Sequence, residues 1–121
     1  MLVLSVSLLL NALIVFPVSL GMLSGQPGMD AAFGAQSDAR SILASVYLAI
    51  GLVRVAGLAG LALGYGSVVI PMAAGLLILQ VVYKAITVAT VGVASPVVMT
   101  NIVVILVHLI TLAILARTWA A

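Results

Sequence analysis

Four apolar runs, at residues 2–23, 41–63, 68–91 and 97–116, each hold about the 20 residues that a helix needs to cross the hydrocarbon core of a bilayer. Nothing else constrains the fold so tightly. Of the 121 residues, 66% are hydrophobic and only 5% charged, which leaves too few polar side chains to cover a water-facing surface. A water-soluble globule is excluded. Nucleic acid is excluded as a partner too, because the net charge of +2 comes from four Lys/Arg and two Asp/Glu spread along the chain, with no basic stripe. The absence of Cys removes disulfides, thiolate metal sites and cysteine nucleophiles. The first run has no Lys or Arg before it and is longer than the apolar part of a signal peptide, so it reads as a span.

The breaks between runs set the connectivity. Residues 24–40 gather Gly25, Pro27, Gly28, Asp30, Gly34, Gln36 and Asp38, the densest group of turn formers and charge in the chain, and read as its sole extended loop. Gly64-Tyr65-Gly66-Ser67 suits a tight reversal, and Ala94-Ser95-Pro96 another, with Ser95 as a cap and Pro96 in the first turn of the last helix. Pro17 and Pro71 either kink or begin their helices. The expected fold is all-α: an integral membrane four-helix bundle forming a single transmembrane domain over residues 1–121, with sequential helices antiparallel and both termini on one side. Arg117 on the terminal side and Arg40 and Lys84 on the other nearly balance, so charge leaves the orientation open.

Depth then groups the polar residues. Counted inward from the long-loop side, Asn11, Arg54, Gln80 and His108 all fall roughly 11 to 14 residues deep, one from each helix. Tyr47, Lys84 and Asn101 form a shallower group. Arg40, Tyr47 and Arg54 recur at intervals of seven, as do Asn101 and His108, while Ser7 and Asn11, and Gln80 and Lys84, are four apart. Each helix therefore carries one polar stripe, expected to face the interior as a layer of Asn11, Gln80, His108, Tyr47 and Asn101 that bonds helix to helix. Lys84 lies within reach of Asp30 or Asp38. Arg54 has no acid at its depth, so a partner's acid, a lipid phosphate or an anion is the expected contact for it, and for Lys84 as the second interior cation.

His108 admits two readings: a hydrogen bond to Gln80, Asn11 or a carbonyl, or axial ligation of a pigment or haem. It cannot by itself build a closed metal site. No cofactor is required by the sequence, and contact with a lipid or pigment stays open. Catalysis is not expected, since no carboxylate is placed to orient the imidazole and no Ser sits in a nucleophile turn. Small residues at four-residue spacing, Ala56 with Gly60 and Gly64, Gly21 with Gly25, and Ala85 with Ala89, permit close helix contacts.

The stretch Asp38-Ala39-Arg40-Ser41-Ile42-Leu43-Ala44-Ser45-Val46-Tyr47-Leu48-Ala49-Ile50-Gly51, with the long first loop and the helix count, resembles small, uncharacterised four-helix bacterial membrane proteins, broadly DoxX-like. The resemblance implies the architecture and a multi-pass setting in a bacterial inner membrane; it implies no particular chemistry. The expected role is a noncatalytic accessory or structural subunit of a larger membrane complex, with membrane lipid and either other subunits or further copies of itself as partners. The alternative is a small homo-oligomeric transporter or channel. The absence of any Glu disfavours proton-coupled cation export, so an anion is the more suitable cargo.

Overall fold

The computed structural model describes residues 1–120, and every regular element within them is helical. α1 spans Leu2–Leu23, α2 is the single turn Asp30–Phe33, and α3, α4 and α5 span Asp38–Ala62, Gly66–Val91 and Pro96–Ala120, with a 3-10 turn at Pro27–Met29. The four long helices contain 22, 25, 26 and 25 residues and are long and apolar enough to cross a membrane. α3 begins before its apolar run because Ser37 caps it: Arg40 N–H donates to Ser37 Oγ at 3.2 Å, and Ser41 N–H to Ser37 O at 3.0 Å. α5 likewise runs past Arg117. Hydropathy marks where side chains leave an apolar phase, and backbone hydrogen bonding continues beyond that point.

Two helices stop by the same device. At the end of α3, Tyr65 N–H donates to Gly60 O at 2.9 Å and Gly64 N–H to Leu61 O at 3.2 Å, a closure that needs Gly64 at φ 86°. At the end of α1, Gln26 N–H reaches Gly21 O and Gly25 N–H reaches Met22 O, with Gly25 at φ 68°. Pro96 opens α5 at its first helical position. Pro17 and Pro71 lie inside α1 and α4, so neither begins its helix.

The chain divides into two compact units, one joining Met1–Ser7 to the chain from Gly60 onward, the other Leu8–Ala59. In the first, α4 and α5 are antiparallel neighbours, since Lys84 pairs with Asn101 and Gln80 with the later His108. The start of α4 lies against the end of α3: a Cβ on Gly60 would sit 2.7 Å from Val69 Cγ2. In the second unit, a Cβ on Gly51 of α3 would come 3.0 Å from Phe16 Cζ of α1, so these helices also approach closely. Phe33 of α2 meets the Tyr47 ring edge-on, with 6.3 Å between centroids.

Each long helix buries one stripe at spacings of three and four. In α3 it is Arg40, Ala44, Tyr47, Gly51 and Arg54; in α4, Ala73, Ala74, Leu77, Gln80 and Lys84; in α5, Val98, Asn101, Val104, His108, Thr111 and Leu115. α1 buries Leu4, Ser7, Leu8, Asn11, Ala12, Val15, Ser19 and Met22. The opposite faces are apolar and open, with Leu13 at 65%, Ile42 at 66%, Met72 at 66% and Ile110 at 60% exposure. The buried stripes thus enclose polar side chains together with apolar ones, while the outward faces are aliphatic. Ala56, Ala85 and Ala89 are exposed, so within the structure only Gly60 of those small-residue ladders marks a close contact between long helices.

Candidate functional site

In the first unit the buried polar residues form two linked pairs of contacts. Gln80 and Lys84 stand one turn apart on α4, and Asn101 and His108 two turns apart on the facing stripe of α5. Lys84 Nζ donates to Asn101 Oδ1 at 2.6 Å, and the same ammonium lies 5.0 Å from the centroid of the Tyr83 ring. Lys84 thus has an amide oxygen as acceptor within a buried contact, and Asp30 is engaged by Arg40. Asn101 Nδ2, on the other side of that amide, is buried with no hydrogen-bond partner.

One turn or so deeper, His108 is held at both ring nitrogens. Its Nδ1 lies 2.9 Å from Ser7 Oγ and its Nε2 3.4 Å from Gln80 Oε1. Gln80 presents a carbonyl oxygen, which can only accept, so Nε2 carries the proton and Nδ1 accepts from the Ser7 hydroxyl. The 3.4 Å contact is the weaker of the two. Below them Thr111 donates to Val107 O at 2.8 Å, as buried helix hydroxyls do when no cross-helix acceptor is taken. An external ligand to His108 would have to displace Ser7 or Gln80. The Ser7 contact brings a hydroxyl to an imidazole, a combination the sequence did not suggest because the two residues are 101 apart and their depths were counted as different. The third member is an amide, which lacks the negative charge that stabilises an imidazolium in hydrolytic triads. All three side chains are buried.

In the second unit the buried polar residues are Asn11, Ser19, Arg40 and Arg54, and Tyr47 is buried too. Asn11 and Arg54 are enclosed completely or nearly so, at 1% and 0% exposure, and each makes interactions of its own. Arg40 was read in the sequence as the head of the α3 stripe and as a charge on the long-loop side. In the structure it is a structural hub: Nη1 donates to Asp30 Oδ1 and to Gly34 O, the latter at 2.7 Å, while its backbone N–H takes the Ser37 cap. The signal that could have found it was present, since Asp30 precedes it by ten residues across a glycine-bracketed turn, the only loop segment with an acid placed to fold back on α3.

Comparison of the chain with known protein families, characterised proteins and solved structures finds no match.

Proposed function

We propose that the chain is a multi-pass integral membrane protein, a four-helix bundle with antiparallel neighbours, and that it acts as a noncatalytic accessory or structural subunit of a larger membrane complex. The observation that carries this reading is the inverted burial: Arg54, Gln80, Lys84, Asn101 and His108 are enclosed while Leu13, Ile42, Met72 and Ile110 face outward. In water that arrangement is unfavourable on both counts. In lipid it is what packing demands, because an outward polar atom finds no partner there and an outward aliphatic one costs nothing. Apolar outer faces on every long helix suit both lipid tails and partner helices. The interior polar groups of the first unit bond to one another, which supports a role in fixing α4 and α5 in register. The resemblance of the α3 start to DoxX-like proteins favours a bacterial inner membrane as the setting.

Extraction in mild detergent followed by mass spectrometry of the chains that remain bound tests the reading. Larger partner subunits in fixed ratio are the expected result, and a pure homo-oligomer would defeat it. That second outcome would promote the alternative, a small homo-oligomeric transporter or channel for an anion. One observation favours this alternative: the Asn101 amide points an N–H donor, buried and without an acceptor, beside the Lys84 ammonium.

A further inference from the structure

We propose that the Nε–Nη2 edge of Arg40 is a binding site for a phosphate-type oxyanion, held closed in this structure by segment 25–34, whose Asp30 occupies the guanidinium in the ligand's stead. A guanidinium has five N–H donors, and its best partner for an oxyanion is the fork formed by Nε and one Nη, which grips two oxygens at once. Arg40 does not use its fork. Both of its bonds to other side chains and loops leave from a single nitrogen, Nη1, one to Asp30 Oδ1 and one to Gly34 O. Nε and Nη2 are buried and have no hydrogen-bond partner. The side chain is 1% exposed, whereas that of Asp30 is 56% exposed. A shielded cation is therefore neutralised by a carboxylate that sits half in solvent and approaches end-on, the weaker of the available geometries. Burying three N–H bonds unmet is costly, and a tetrahedral or planar oxyanion seated on that edge would meet at least two of them.

Access requires the segment to move, and its build allows this. The 3-10 turn Pro27–Met29 and α2, Asp30–Phe33, contain no buried residue, so no core is torn open when they lift. Glycines bracket them: Gly25 at φ 68° and Gly34 at φ 78°, with no heavy atom closer than 3.9 Å to a Cβ built on either. The segment is held down by Arg40, through Asp30 and Gly34, by the edge contact of Phe33 on Tyr47 and by the Met29 side chain lying against Gly21 of α1. An incoming dianion or phosphodiester on the Nε–Nη2 edge would take over neutralisation of the cation from the Asp30 carboxylate on Nη1 and gain both fork bonds. Phosphate groups reach this position from two sources, a lipid headgroup or free phosphate in solution, and the chemistry recognised is the same.

The test uses the full chain labelled with 15N-arginine in a maltoside detergent, which carries no phosphate. The Arg40 Nε–Hε resonance is assigned by its loss in Arg40→Lys and followed as inorganic phosphate, or phosphatidylglycerol dispersed in the same micelles, is added. The expected result is a saturable shift with at least one probe. A shift with phosphatidylglycerol alone assigns the lipid headgroup, and a shift with both assigns the phosphate group itself. Asp30→Asn, which removes the competing carboxylate, should lower the half-saturating concentration about tenfold. Arg40→Lys, which keeps the charge and loses the fork, should retain about tenfold less of either probe, read for this variant and for wild type from the 31P resonance of the added probe. A wild-type resonance indifferent to both probes overturns the proposal even if neither variant folds, and so does probe binding by folded Arg40→Lys equal to wild type. Neither result touches the accessory-subunit reading, which rests on other residues.

Discussion

The Lys84–Asn101 contact offers the sharpest test of whether the interior polar residues bind the helices together. Asn101→Leu removes the acceptor that lies 2.6 Å from the ammonium and leaves the volume nearly filled. A net hydrogen bond to a charged group is worth about 1.5–3 kcal/mol, and a buried charge stripped of its partner costs about 3–5 kcal/mol. Lys84 keeps the Tyr83 ring at 5.0 Å and a further interaction, so the lower bracket applies and the loss should be about 2–3 kcal/mol. Lys84→Met removes the charge together with its desolvation cost but leaves Asn101 Oδ1 bare, for a loss of about 1–2 kcal/mol. When both go, an apolar pair replaces a polar one and neither leaves an orphan. The double variant should therefore lie within about 1 kcal/mol of wild type, giving a coupling of about 2–5 kcal/mol.

Reversible unfolding by titration of sodium dodecyl sulfate into mixed micelles, run on wild type, the two single variants and the double variant, measures all four corners. Asn101→Asp belongs in the same series: it keeps an acceptor for Lys84 and adds the opposite charge, so it should retain wild-type stability where Asn101→Leu does not. Strictly additive losses would refute the reasoning. So would an Asn101→Leu cost at or below about 0.6 kcal/mol, the average for a hydrogen bond between membrane helices, since this contact would then carry nothing from its charge.

Other expectations follow from single contacts. Gly60→Ala would place a Cβ 2.7 Å from Val69 Cγ2 and should cost about 1–2 kcal/mol in the same unfolding assay, with Val69→Ala restoring most of it; an unaffected Gly60→Ala would show that α4 shifts freely. Ser7→Ala removes the donor to His108 Nδ1 and should cost about 1 kcal/mol in wild type and measurably less in a His108→Leu background. Cysteines placed at residues 2 and 119 should be labelled from the same side of a sealed vesicle, and labelling from opposite sides would rule out an even number of spans.

The long helices were legible because apolar length and turn chemistry agree in this chain. Gly25 and Gly64 stop α1 and α3 at positive φ, and Pro96 opens α5, at positions the turn formers mark in the sequence. Residues 24–40 were less legible. Their composition says loop, yet within them Asp30 folds back to Arg40, a short helix forms, and Phe33 finds Tyr47. A four-residue helix has too few intrahelical bonds to be specified by propensity, so tertiary contacts decide it, and those contacts cannot be read from spacing. Arg40 shows the consequence. Its place at the head of a seven-residue stripe was visible, but its function as an anchor depended on a loop geometry that hydropathy does not encode.

Depth counting locates stripes better than it locates partners. The interval of seven put Asn101 and His108 on one face of α5, and both are buried. The interval of four put Gln80 above Lys84, and these meet His108 and Asn101 in the antiparallel order that a short turn between α4 and α5 imposes. On α1, the hydroxyl that reaches His108 Nδ1 belongs to Ser7, which shares its stripe with Asn11 one turn further along the helix. Face is fixed by the helical repeat, whereas level depends on tilt and on how each helix leaves its loop, neither of which the sequence states. An error of one turn, about 5.4 Å, still lands on the same face and so exchanges one polar partner for another. A stripe that carries a hydrogen-bonding side chain at nearly every turn, as Ser7, Asn11 and Ser19 do in α1, tolerates that slip. The Ser7 hydroxyl meets the interior imidazole from one such level, and stripes of this kind suit a protein that relies on polar contacts to hold apolar helices in place.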